Sequence, residues 1–219
     1  MGIDGVIFDL DGTLLDTIAD LAYSVNNVLL RYGYRTHPVE AYKQFIGDGM
    51  AMLIQRAVGE TCSDKEITKL VFELKDEYAK NWNRETKPYP GVHDLLKELS
   101  HKKIKISVFS NKSHEFTVEM VKYYFPDIAF STILGLQDSI PRKPDPHGAL
   151  LIAHTMQLEP TQIAMIGDSA TDVEMAHACG MYSIGVSWGY RPVALLLQHH
   201  PHAIANTPGD IIRIITSVT

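Results

Sequence analysis

Asp9 and Asp11 stand two residues apart in Asp9-Leu10-Asp11-Gly12-Thr13, directly after the apolar run Val6-Ile7-Phe8. On an extended chain, side chains at i and i+2 share a face. Both carboxylates can therefore point into one site where a strand gives way to a loop. Gly12 permits the backbone angles such a turn needs. One carboxylate can serve as a nucleophile and the other as a proton donor and acceptor. An acid pair that merely caps a turn is the ordinary alternative, but this four-letter pattern would arise by chance in roughly a few chains per thousand at average residue usage.

Three further clusters follow strand-like runs or stiffened loops. Ser110-Asn111-Lys112 comes directly after residues 104–109, where a hydroxyl and backbone N–H groups ahead of a helix suit a phosphate oxygen. Taken alone, Ser110 is more often a helix N-cap. Lys143 sits in Pro141-Arg142-Lys143-Pro144-Asp145-Pro146, where prolines stiffen the loop and an ammonium could neutralise phosphate as a point charge. A lone lysine beside proline is usually just solvated. Gly167-Asp168-Ser169-Ala170-Thr171-Asp172 adds two more carboxylates after residues 163–166. Asp168 could equally cap a helix with Asp172 in its first turn, and this role can coexist with the chemical one. Gathering Asp9, Asp11, Asp168 and Asp172 in one crevice is costly without positive charge. A hard divalent cation with oxygen ligands resolves the conflict, and Mg²⁺ is expected where phosphate completes the shell.

The elements that must position these residues are legible in outline. Residues 5–9, 104–109, 162–166 and 182–186 read as short buried strands, each followed by small or polar residues and then a helical stretch. This alternation predicts an α/β fold with a Rossmann-like parallel sheet, whose ligand crevice lies beyond the C-terminal strand ends. Residues 16–87 differ: helical periodicity at 21–30, 50–58 and 67–82, no convincing strand, and a turn-forming Pro88-Tyr89-Pro90-Gly91 at the far side. They are read as an all-helical cap domain inserted into a core made of residues 1–15 and 88–219. The paired crossings suit a mobile lid, and a helical layer packed rigidly on the sheet is the plain alternative.

The 219 residues can bury an ample core without staples, and 45% hydrophobic with 21% charged residues is ordinary for a globular chain. A formal net charge of -6 argues against a nucleic-acid surface. No apolar stretch approaches a membrane span, and the first residues lack the features of a signal peptide. Cys62 and Cys179 stand in no metal-ligand spacing and read as reduced thiols of a cytoplasmic protein. His199, His200 and His202 are interrupted by Pro201 and read as solvated loop residues rather than a metal site. Nothing in the sequence dictates an oligomeric state.

In this order, the four clusters resemble the haloacid dehalogenase superfamily of phosphohydrolases, over essentially the whole chain. The resemblance implies Asp9 as nucleophile, Asp11 as general acid and base, Ser110 with Asn111 as phosphate-binding residues, and Lys143 as the lysine that steadies nucleophile and phosphate. It implies Mg²⁺ held by the Asp9 carboxylate, the Asp11 carbonyl and Asp168, with Asp172 acting directly or through water. Gly12-Thr13-Leu14, Ile46-Gly47-Asp48-Gly49, Arg56-Ala57 and Ser187-Trp188-Gly189-Tyr190 resemble the phosphoglycolate phosphatase branch. That branch implies a small phosphorylated metabolite as substrate, with Gly47, Gly49 and Arg56 as residues that read it. Arg56 as a solvated helix residue, with the glycines merely shaping a turn, is the plain alternative.

Pyrophosphatases and nucleotidases share much of this pattern. A dehalogenase would not need Asp11, and phosphosugar mutases usually carry Val where this chain has Thr13. A non-catalytic phosphate-binding regulator would not need both Asp9 and Asp11.

Overall fold

The computed structural model describes residues 2–59 and 62–218. The chain opens with β1 (Gly5–Phe8) and the two-residue β2 (Leu15–Asp16). It then runs through α1 (Ile18–Arg31), α2 (Val39–Phe45), α3 (Gly49–Val58) and α4 (Asp64–Asn81) to β3 (Lys87–Pro88). From there helix and strand alternate: α5 (Val92–His101), β4 (Lys105–Ser113), α6 (His114–Tyr124), β5 (Thr132–Leu136), α7 (His147–Met156) and β6 (Ile163–Gly167). The chain ends with α8 (Ala170–Cys179), β7 (Tyr182–Val186), α9 (Val193–Leu197), β8 (Ala203–Ala205) and α10 (Pro208–Ser217).

Contacts divide the chain into two compact units, Met1–Leu15 with Pro88–Thr219, and Asp16–Lys87. The crossings β2 and β3 pair as a two-stranded sheet. In the larger unit six strands form a parallel sheet in the order β5-β4-β1-β6-β7-β8. β1 is central and buried along its whole length, as an apolar run without alternation requires when both faces are covered. Chain order reverses on either side of it, so the C-terminal ends of β1, β4 and β6 open on one crevice. Ile7, Phe109, Leu134, Ile152, Met165 and Met175 share one core cluster, which packs α7 and α8 against the sheet. Burying each such side chain contributes about 1.5–3 kcal/mol.

The smaller unit contains α1 to α4. Leu21, Val25, Val28 and Leu29 of α1 are buried, as are Leu70, Leu74 and Tyr78 of α4. Arg31 bridges Glu73 and Glu77 across this helix pair. α4 begins at a capping box, with Ser63 and Glu66 each satisfying the other's backbone N–H. Asp20, buried in the first turn of α1, accepts hydrogen bonds from the Glu85 and Thr86 N–H groups at 2.9–3.0 Å. One carboxylate thus ties the segment just after the first crossing to the segment just before the second.

The structure departs from the sequence expectations at several edges. β4 runs on to Ser113, with its register on β5 shifting between Phe109 and Ser113. Ser110, Asn111 and Lys112 therefore lie within the irregular end of β4 rather than after it, and α6 takes Ser113 as its N-cap. β5 and β8 are strands that the apolar-run criterion missed. Both contain half-buried positions, as sheet-edge strands do. β2, β3 and α2 were too short for periodicity to reveal. Among the described residues no helix is long and apolar enough to cross a membrane.

Candidate active site

Asp9 follows the last residue of β1 and is 8% exposed. Its N–H donates to the Ile166 carbonyl at 2.9 Å, extending the β1–β6 ladder by one residue and fixing the direction of its side chain. The Lys143 ammonium lies 2.8 Å from Asp9 Oδ1 and 2.6 Å from Asp172 Oδ1, and is itself almost fully buried. Burial alone would lower that lysine, but Asp172 and Asp9 outweigh it and hold it above its ordinary value. Burial raises the Asp9 carboxyl, with Lys143 opposing and Asp172 and Asp11 adding to the rise. Burial, reinforced by the Asp9 and Asp172 charges, pushes Asp168 up to about 8.

Asn111 explains how Lys143 is held. Its side-chain amide donates to the Lys143 carbonyl at 3.2 Å, and its side-chain oxygen accepts from the Lys143 N–H at 2.8 Å. The carboxamide expected to meet phosphate is thus engaged with the lysine's own backbone. Ser110 is 2% exposed, and its Oγ accepts from the Lys112 N–H at 3.2 Å. Lys112, which carried no role in the sequence reading, places its ammonium 3.1 and 3.3 Å from the two Asp11 oxygens.

α8 is capped by Ser169, not by Asp168. Ser169 and Asp172 form its capping box, with Asp172 Oδ2 accepting from the Ser169 N–H and Oγ. Asp172 therefore serves Lys143 with one oxygen and the helix start with the other. The Asp168 carboxylate accepts from the Tyr190 N–H at 2.7 Å. Gly12 and Gly189 make that approach possible. Gly12 has φ +85°, and a Cβ at either glycine would collide with Asp168. Trp188 Nε1 donates to the Thr13 carbonyl at 3.1 Å, tying the loop after β7 to the turn after β1. In the sequence this loop was read only through its resemblance to one branch.

Oxygen atoms of Asp9, Asp168 and Asp172 all lie within 4.8 Å of one another, and all three residues are buried. An all-oxygen donor set with excess negative charge fits a hard divalent cation. Gly47, Gly49 and Arg56 belong to the helical unit. Gly47 and Gly49 both have positive φ. The Arg56 guanidinium donates to the Phe45 carbonyl at 2.9 Å and pairs with Asp48. This arginine therefore fastens α3 to the segment from Phe45 to Asp48 that leads into it, which contains Gly47 and ends just before Gly49.

Residues 6–186 match the family model for haloacid dehalogenase-like hydrolases. A phosphoglycolate phosphatase of Psychrobacter arcticus is 34% identical over 193 residues, covering 84% of this chain and 84% of that protein. One of Mannheimia succiniciproducens is 31% identical over 215 residues, covering 95% and 96%. A crystal structure from Lactobacillus delbrueckii subsp. bulgaricus, whose phosphoglycolate phosphatase name is provisional, superposes with a TM-score of 0.92. It is 31% identical, with 98% of this chain and 99% of that one covered.

Proposed function

The chain belongs to the haloacid dehalogenase-like hydrolase family and is a phosphatase of it, and we propose that it hydrolyses small phosphomonoesters through an aspartyl phosphate on Asp9. The observation that carries this reading is the Lys143 ammonium held between Asp9 and Asp172 in the crevice beyond β1 and β6. A carboxylate fixed there, beside a buried cation, suits in-line attack on phosphorus.

An Asp9 oxygen forms the new P–O bond as the bond to the leaving alcohol breaks. Asp11 gives that alcohol its proton, then takes one from the water that attacks the phosphorus and returns Asp9 to carboxylate. The Ser110 hydroxyl and Lys143 hold the phosphate oxygens as charge shifts onto them, while Asn111 fixes the lysine. Mg²⁺ would be held by Asp9, Asp168 and the Asp11 carbonyl, with Asp172 behind Lys143, and would neutralise phosphate charge.

The substrate we favour is 2-phosphoglycolate, the compound in the names of the relatives. Residues 16–87 serve as the cap that excludes water and reads the leaving group. A cytoplasmic location suits the free thiols of Cys62 and Cys179. The net charge of -6 disfavours a nucleic-acid surface, and a small phosphorylated metabolite is the partner we favour.

The test is phosphate release from 2-phosphoglycolate, pyrophosphate, a nucleotide and a sugar phosphate, with and without a chelator. Chelation should abolish release and Mg²⁺ restore it. Asp9→Asn should form no phosphoenzyme, and Asp11→Asn should be slower by about 10²–10⁴-fold. Full activity without a divalent cation, or an acyl phosphate trapped on another residue, would overturn the mechanism.

A further inference from the structure

The end of β4 spends three consecutive residues on three different parts of the site. Ser110 lines it, Asn111 holds the Lys143 backbone, and Lys112 grips Asp11. The Lys112 side chain is only 5% exposed, whereas that of its partner Asp11 is 22% exposed. A lysine loses much rotamer freedom when its head is fixed, and an ammonium taken out of water needs a close partner. Both Asp11 oxygens lie within 3.3 Å of that ammonium, so the contact restrains rotation of the carboxylate as well as its position.

Charge gives the pair a second purpose. Asp9 and Asp11 stand two residues apart just beyond β1, and two carboxylates so close repel one another. Lys143 answers the charge on Asp9, and Lys112 answers the charge on Asp11. Without Lys112, repulsion would favour rotamers that carry Asp11 away from Asp9. A proton carrier must stay within hydrogen-bond reach of the oxygen it serves.

We propose that Lys112 is a positioning residue, which holds the Asp11 side chain where, in its protonated form, it passes its proton to the leaving oxygen and, once ionised, takes one from the attacking water. The proposal rests on the aspartyl-phosphate reading above, and it extends that reading to a residue outside the phosphate and metal sets. It predicts a defect that depends on the leaving group. An alkyl leaving oxygen needs a proton as the P–O bond breaks, whereas p-nitrophenolate departs without one.

The experiment compares kcat/KM for 2-phosphoglycolate and p-nitrophenyl phosphate, because kcat/KM reports the step in which the alcohol leaves. The proteins are wild type, Lys112→Met, Lys112→Arg, Asp11→Asn and the Lys112→Met/Asp11→Asn double variant. Lys112→Met should lose at least about ten-fold more on the alkyl ester than on the aryl ester, within the range of a general acid's worth. Lys112→Arg, which can also face both carboxylate oxygens, should recover part of that loss. On the Asp11→Asn background the methionine should cost nothing further, since the group it positions is gone.

Equal losses on both esters, or losses that multiply in the double variant, would overturn the proposal and make Lys112 a general site or folding residue. If Lys112→Met does not fold, Lys112→Gln carries the same comparison. A wild-type protein that releases no phosphate sinks the functional reading together with this proposal. A leaving-group-selective Asp11→Asn beside an unselective Lys112→Met sinks this proposal alone.

Discussion

At the scale of single residues, the site is a charge balance in a dry place. Asp9, Asp168 and Asp172 are buried within reach of one another, and Lys143 answers only part of their charge. Burial first, and the charges of Asp9 and Asp172 second, raise the Asp168 carboxyl. Close approach by the loop after β7 sets where Asp168 stands, through the Tyr190 N–H and the bare face of Gly189. A methyl group at Gly189 has no space beside Asp168. Gly189→Ala should therefore displace this carboxylate and weaken Mg²⁺ binding by roughly 10–100-fold, the usual worth of a group that supports a metal ligand. Isothermal titration of the purified variant with Mg²⁺ measures this directly. Affinity equal to wild type would mean that Asp168 does not hold the ion.

At the scale of elements, two junctions invite tests. The first lies in the helical unit, where Arg56 of α3 is bound to the Phe45 carbonyl and to Asp48. Its loss should loosen the loop between α2 and α3, which contains Gly47, rather than remove a charge from the substrate. If that loop reads the leaving group, Arg56→Ala should lower kcat/KM for 2-phosphoglycolate more than for p-nitrophenyl phosphate. Equal losses, or none, would take the loop out of substrate choice.

The second junction joins β7 to the start of β8. The Ser183 N–H donates to His202 Nδ1 at 3.1 Å, and the His202 N–H donates back to Ser183 Oγ at 3.1 Å. The Tyr182 ring stacks on His202 at 4.7 Å, and the His177 ring stands edge-on at 5.3 Å. His199, in the same connection, pairs with Glu174 of α8 at 3.0 Å. Partial burial first, and His177 second, lower the pKa of His202. The folded protein therefore prefers the neutral ring, whose Nδ1 can accept. That contribution to stability is full above about pH 6.5, the ordinary histidine value, and declines as pH falls through it toward the lower folded value. Urea unfolding midpoints of wild type and His202→Gln, compared at pH 7.5 and pH 5.5, should show a smaller acid loss in the variant. Identical losses would exclude this junction as the sensor.

At the scale of the whole molecule, divalent-cation binding should act as folding energy for the unit that contains the sheet. At a hundred times the dissociation constant, binding stabilises the native state by about 2.7 kcal/mol. For a unit of this size the corresponding rise in its unfolding temperature is roughly 5–10 °C. Calorimetry with chelator and then with Mg²⁺ should show this shift, and Asp168→Asn should abolish it. A shift that survives in Asp168→Asn would place the ion elsewhere.

The acid pairs of the candidate site were legible in the sequence where local spacing governs them. Asp9 and Asp11 stand two residues apart directly after an apolar run, where an extended chain would turn both to one face, and Asp168 and Asp172 flank a helix start four residues apart. Continuous apolar runs marked the strands buried on both faces, and 3.6-residue periodicity marked α1, α3 and α4. β5 and β8 escaped because edge strands carry no such run. Only the tertiary structure joined Lys112 to Asp11 across 101 residues, Asn111 to the backbone of Lys143, and Tyr190 to Asp168. Those pairings depend on which strands lie side by side and in what register. Strand order and register are settled by packing over the whole sheet, so no short stretch of sequence contains them.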